Sequence, residues 1–346
     1  MKGDIFQKVN IPHGKFKGKF VCRNTLRTGV RKLMQKMKKY GIGVIVGALI
    51  LLTVCGSFFD YEIADALYCG QKPSDNFFGV LFAFIGIIPT FVGWGFLGGS
   101  LFYLSRKHVR SLAKRRWLTA LSVLLFVLAF FYFCNTLMMV NGNAFSVHWA
   151  IAYSIGTAVV LCAAYLGYAL AKRSDNPELM KSVLFLIFVS LLTMVIVMSV
   201  KGIMDRPRFR FVLETSNPDY FRNWWQSGGD VKAALGTNAV SDEFSSFPSG
   251  HSAYSMFAVF LFPALADYIP KLHKQKPLLF VLGFVWWGLT ALSRLTVGAH
   301  YLTDVCIAGL ATIAAYGVVK GVCRWIAKRK NAKDGVSRIN GAEDTL

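Results

Sequence analysis

The sequence predicts an all-α protein, a polytopic bundle of about eight transmembrane helices. Three observations predict it. Hydrophobic residues make up 54% of the 346 residues and charged residues 16%, far more apolar than a soluble domain of this length. Eight stretches approach the roughly 20 apolar residues that a membrane span requires. Charge alternates between the loops that join them, basic on one side and neutral or acidic on the other, as the positive-inside bias demands.

Residues 1–40 hold twelve Lys or Arg and one Asp before the first apolar run. A secretory signal starts with a shorter basic segment and ends in a small-residue cleavage site, so residues 41–59 read as an uncleaved first span. The arm before it has two open readings, a segment lying on anionic lipid and a disordered tail. The second stretch, residues 78–104, is long enough to tilt. Its Pro89 and its Gly95-x-x-x-Gly99 pair serve a kink and close helix packing better than chemistry. The remaining stretches cover about residues 117–140, 149–171, 182–200, 253–269, 278–297 and 301–322, with Trp117, Trp149 and Trp325 at span ends as interfacial anchors.

Basic clusters fill the second loop (Arg106, Lys107, Arg110, Lys114, Arg115, Arg116), the fourth (Lys172, Arg173, Lys181) and the sixth (Lys271, Lys274, Lys276), and follow the last span. The first loop, with Asp60, Glu62, Asp65, Lys72 and Asp75, is acidic, and the third is uncharged. Both termini are therefore cytoplasmic. The formal net charge of +21 follows from this topology, which excludes nucleic acid as the natural partner. Of the seven cysteines only Cys69 falls on the far side, so neither a disulfide framework nor a zinc motif is expected. Residues 1–40 form a basic arm, 41–323 a transmembrane domain and 324–346 a cytoplasmic tail, with no internal repeat.

Three constellations stand out. In the first, Ser293 to Asp304, an ionisable group at a span is a functional candidate because its burial costs several kcal/mol unless compensated. A helix from about Ala299 places His300 and Asp304 one turn apart on one face, where the carboxylate fixes the ring's tautomer and leaves the other nitrogen basic. A helix-end histidine beside its own carboxylate is the equally weighted alternative. In the second, Pro248-Ser249-Gly250-His251 precedes the sixth stretch. Proline suits a first helical turn, and the following N–H groups, of Ser249 and Gly250, are free to meet an anion; a simple polar helix start reads the same residues. In the third, Lys201, Arg206, Arg208 and Arg210 crowd together at the start of the fifth loop, which is neutral overall. A bound anion explains them, and so does an ion-pair cluster with Asp205 and Glu214. The topology carries Lys201, His251, Arg294 and His300 to the same side of the membrane.

These motifs, K-x6-R from Lys201 to Arg208, P-S-G-H from Pro248 to His251 and S-R-x5-H-x3-D from Ser293 to Asp304, resemble the three signatures of the type 2 phosphatidic acid phosphatase family. That superfamily also includes glucose-6-phosphatase and the soluble vanadium haloperoxidases. The similarity covers about residues 182–320 and implies a six-helix core, corresponding to the last six spans or a similar subset, with two added spans of no readable role. The family pattern has proline after the motif arginine, whereas Phe209 follows Arg208 and Pro207 precedes it. Spacing favours Arg208 as the phosphate ligand and leaves Arg206 as the alternative.

The resemblance implies that His300 attacks phosphorus to give a phosphohistidine, that Asp304 orients it and that His251 protonates the leaving alcohol. Lys201, Arg208, Ser249, Gly250 and Arg294 would then hold the phosphate. Neither a metal nor another cofactor is expected. A site at span ends favours a membrane lipid with a phosphorylated head group; phosphatidate, phosphatidylglycerophosphate, polyprenyl diphosphate and lipid A all fit. Trp224 and Trp225 read as loop packing more than as a lipid entrance. Two rivals remain, a phosphotransferase passing the group to a lipid or sugar, and a transporter, which leaves the three motifs unexplained. No N-x-[ST] site lies in the outward loops, which leans toward a bacterial plasma membrane with the site on its extracytoplasmic face. The sequence assigns no oligomeric state.

Overall fold

A computed structural model describes the backbone of residues 17–72, 74–143, 149–236 and 241–343, and side chains within 40–331 except 73, 137–149, 152 and 237–241. The chain divides into two compact units, residues 1–45 and 46–346. Residues 1–16 of the basic arm lie outside the described residues. From Lys17 the first unit is the leading part of a long helix, α1 (Lys17–Leu67).

All regular structure among the described residues is helical. After α1 come α2 (Phe77–Ile85), α3 (Ile88–His108), α4 (Leu112–Asn143), α5 (Trp149–Ser174) and α6 (Leu179–Met204). The fifth loop holds two short helices, α7 (Phe209–Glu214) and α8 (Gly229–Leu235), and is followed by α9 (Gly250–Met256), α10 (Ala258–Tyr268), α11 (Lys276–Thr296) and α12 (Leu302–Glu343). The protein is an integral membrane protein: among the described residues seven helices are long and apolar enough to cross a membrane. Leu51, Phe58, Tyr165, Val195 and Ile203 are each at least 60% exposed on helix faces. Such surface costs roughly 25 cal/mol per Å² in water and nothing against lipid tails.

The sixth expected stretch departs from the expectation of eight unbroken spans. It consists of α9 and α10, of 7 and 11 residues, joined where the Phe257 and Phe260 amides each donate to the carbonyl three residues back, at 3.1 and 3.0 Å. This 3₁₀-type tightening resets the helix. The first span also differs: α1 continues past residue 59 to Leu67 through a kink at Phe59 (φ −130°, ψ 21°). Asp60, Glu62 and Asp65, read as an acidic loop, are thus helical. Residues 324–343 of the expected tail continue α12.

Within the second unit, α3 packs on α4 and α5, α2 on α11, α10 on α11, and α9 sits among α6, α11 and α12. The Gly95 and Gly99 pair does serve close packing. A Cβ on Gly99 would stand 1.9 Å from the Ala164 carbonyl oxygen of α5, inside any permitted contact. Ser100 Oγ donates across the same seam to the Gly167 carbonyl at 3.1 Å. Gly99→Leu is expected to destabilise the protein by at least about 1–3 kcal/mol, the usual cost of overpacking, read as a lower thermal midpoint in detergent; an unchanged midpoint would contradict this seam.

Candidate active site

Each element delivers its polar residue by a local rule. Lys201 lies in the last turn of α6, which stops at Asp205 in the left-handed region (φ 42°), a conformation aspartate tolerates; Pro207 then bars further helix. Arg208 is the N-cap of α7. Ser249 is the N-cap of α9, its hydroxyl accepting from the Ser252 N–H at 3.3 Å. Arg294 lies in the last turn of α11. Gly298 (φ 63°) then turns the chain back toward α12, as only glycine does without strain, and sets His300 in the connection.

These segments enclose a cavity of about 560 Å³. Lys201, Arg208, Gly250, His251, Arg294 and His300 all line it, together with Lys72, Arg210 and Asp242. Five cations thus face one carboxylate. Asp242 accepts from Arg208 Nη2 at 2.8 Å, and Glu243 pairs with Arg210. Lys201 Nζ donates to the Ser245 carbonyl, and Arg294 Nη2 to the Gly79 carbonyl at 3.2 Å. No described carboxylate lies within ion-pair distance of either Lys201 or Arg294, and Arg294 is 5% exposed. Arg208 Nε is buried with no acceptor.

The two imidazoles are held through carbonyls. His251 Nε2 lies 3.0 Å from the Ala83 carbonyl oxygen and His300 Nδ1 2.6 Å from that of Ser246. A carbonyl only accepts, so each of these nitrogens carries its proton and the other keeps a lone pair. Burial holds His300 down to about 3, with Lys201 and Arg208 reinforcing the shift and Asp304 opposing it, so the ring is neutral at physiological pH.

Asp304 is placed differently from the expectation. The helix begins at Leu302, not near Ala299, so His300 precedes it and the pair does not share a helical face. Asp304 Oδ2 is 3.7 Å from His300 Nδ1, beyond hydrogen-bond reach, and the Ser246 carbonyl fixes the tautomer instead. Oδ2 accepts from Ser246 Oγ at 2.5 Å and from the Tyr301 N–H at 2.9 Å. The latter contact is the carboxylate half of a capping box. Asp304 therefore holds the segments that carry His300 and its carbonyl partner. Ser249 is not on the cavity wall either: its N–H donates to the Asp304 carbonyl at 3.2 Å, and its hydroxyl is the helix cap.

Arg206 and Arg208, alternatives in the sequence, part company in space. Arg208 faces the cavity. Arg206 is fully buried behind it, bonded to Asp304 Oδ1 at 2.5 Å, Asp60 Oδ2 at 2.9 Å, Thr303 Oγ1 at 3.0 Å and the Arg222 carbonyl at 2.7 Å. Its guanidinium carbon lies 4.1 Å from the Tyr301 ring centroid. Asp60 was missed as a site residue. It is 2% exposed and also accepts from the Thr303 N–H at 3.0 Å. The signal was present in Tyr61 and Ala64, one helical turn apart, which pack against Phe209 and Tyr301 and so continue the first helix past the apolar run. Trp224 donates to Ser57 Oγ at 2.9 Å, packing the fifth loop onto α1, while Trp225 is 53% exposed.

Residues 182–330 match the family model described as PAP2 superfamily, and this stretch is a PAP2 superfamily domain. Phosphatidylglycerophosphatase B of Bacillus subtilis (strain 168) is 33% identical over 86 residues, 24% of this chain and 41% of that protein. The match thus spans about two fifths of the relative's length. No solved structure matches the chain.

Proposed function

We propose that this PAP2 superfamily domain, with the N-terminal helices that complete its cavity, is a membrane phosphatase releasing phosphate from a lipid phosphate or diphosphate. One observation carries the reading. Lys201 and Arg294, with no described carboxylate within ion-pair distance, face the same cavity as two oriented imidazoles. Buried charge without a partner is costly, and a phosphate seated there offsets the cost with charge-assisted hydrogen bonds.

In the proposed reaction the lone pair of His300 Nε2 attacks phosphorus in line with the ester oxygen. The substrate enters as the phosphate monoanion and leaves its proton on the free Nδ1 of His251, whose Nε2 proton stays on the Ala83 carbonyl. The N–P bond then forms, the P–O bond breaks, and the leaving alkoxide takes that proton from Nδ1. The His300 ring keeps its Nδ1 proton on the Ser246 carbonyl and becomes cationic. Water, giving its proton back to His251, then attacks phosphorus and returns His300 as a neutral ring. Lys201, Arg208 and Arg294 stabilise the charge on the equatorial oxygens, the main task in phosphoryl transfer. Gly250 opens α9 and lines the cavity beside them, where a backbone N–H at a helix start favours a phosphate oxygen. Asp304 acts by position, and Ser249 by capping the helix that carries His251.

The lipid assignment is supported by the other half of the cavity, where Val80, Ala83, Ile87, Phe91, Tyr132 and Tyr254 form an apolar wall. These come from α2, α3, α4 and α9, and the wall suits a hydrocarbon chain. The basic loops at the far end of the bundle support an extracytoplasmic site. Purified protein assayed against phosphatidate, phosphatidylglycerophosphate and polyprenyl phosphates is expected to release inorganic phosphate without an added acceptor. Phosphorylation of an added lipid or sugar, with no inorganic phosphate released in its absence, would instead identify a phosphotransferase. Turnover is expected to be unchanged in excess EDTA, because side-chain cations supply the charge that a metal would; a requirement for added Mg²⁺ would overturn the mechanism.

A further inference from the structure

The PAP2 superfamily match begins at residue 182, yet a carboxylate from α1 reaches the centre of the site's support. Arg206 lies between Asp60 and Asp304, at 2.9 and 2.5 Å. All three side chains are at most 1% exposed. An arginine bound to Asp304 alone would cancel its charge. With two carboxylates on one guanidinium, the cluster keeps one net negative charge. We infer that Asp60 is a positioning residue of the phosphatase site, balancing Arg206 so that Asp304 presents an uncancelled negative charge to His300.

The inference rests on the histidine chemistry proposed above. In that chemistry the ring starts neutral and turns cationic as the N–P bond forms, while Lys201, Arg208 and Arg294 surround it with positive charge. A negative charge 3.7 Å from Nδ1 therefore favours the transition state more than the ground state, and that difference raises turnover. Asp60 also accepts from both the N–H and the hydroxyl of Thr303, beside Asp304 in the first turn of α12, so its contribution combines charge with placement. It does not touch the cavity, and substrate affinity has no reason to depend on it.

The test compares Asp60→Asn with the double variant Asp60→Asn/Arg206→Gln, each assayed as purified full-length protein and normalised to its monodisperse fraction. Asparagine keeps the shape and leaves Arg206 to cancel Asp304. Turnover is expected to fall roughly 10–100-fold, the range for groups that orient a reacting one, with KM within about twofold. The double variant removes one charge of each sign and restores the net negative charge, so it should turn over faster than Asp60→Asn. A purely structural role predicts the opposite order, since the double variant loses more contacts. Unchanged turnover in Asp60→Asn, or a double variant no faster than the single, would overturn the inference. Should the single variant not accumulate, the double decides: turnover within about tenfold of wild type supports charge balance, and its loss overturns it. Phosphate release by His300→Ala in the same assay would instead overturn the histidine chemistry, and the inference with it.

Discussion

His300→Ala is expected to abolish phosphate release, by roughly five to six orders of magnitude, while the protein remains folded. The size follows from the role: losing a covalent nucleophile in a comparable hydrolase costs about 10⁶ in turnover, because the remaining groups act only together with it. Folding survives because the ring's one hydrogen bond is to the Ser246 carbonyl, and an under-satisfied buried carbonyl costs about 1–3 kcal/mol. The alanine also leaves a space beside the cavity that water is able to fill. The measurement is a single-turnover assay with phosphatidylglycerophosphate, alongside detergent size exclusion to verify the fold. Turnover within tenfold of wild type would remove His300 from the chemistry.

Arg206→Ala is expected to act on stability instead, and by nearly as much as the protein can bear. Removing one partner of a buried ion pair costs about 3–5 kcal/mol, against a total folding stability of about 5–15 kcal/mol for typical domains. Here two carboxylates lose the same partner, and neither has water to turn to. Low yield and an aggregated elution profile are expected for Arg206→Ala. Arg208→Ala should purify normally, because its partner Asp242 is 58% exposed and hydrates, yet turn over about 10²–10³-fold more slowly, as loss of one transition-state donor does. A stable, active Arg206→Ala would show that the buried triad is dispensable.

Much of this site was legible before any coordinates. Lys201, Arg208, Gly250, His251, Arg294 and His300 sit at the ends of apolar stretches, and alternation of loop charge alone puts those ends on one side. Local chain geometry was less legible. The spacing of His300 and Asp304 suggested one helical turn, but α12 starts only at Leu302, so His300 stays in the connection that follows Gly298 while Asp304 lies on the helix. The role of Ser249 was misjudged because a serine before Gly-His serves equally as donor and as cap, and only the Asp304 carbonyl decides between the two. Spacing already favoured Arg208 over Arg206; what no local pattern predicts is the burial of Arg206 against a residue 146 positions away. Asp60 was hidden because a carboxylate after an apolar run ordinarily marks a loop.

The clasp of Asp60 and Asp304 by Arg206 bears on how the protein is made. Synthesis proceeds from the N-terminus, so the first helix enters the bilayer carrying an acid whose counter-ion lies in the fifth loop and whose companion lies in the last helix. Until the ribosome has delivered all three, that acid lacks its full set of partners. Chains that stop short of Thr303 and Asp304 leave Asp60 and Arg206 without those partners, so the buried cluster closes only once the last helix is in place.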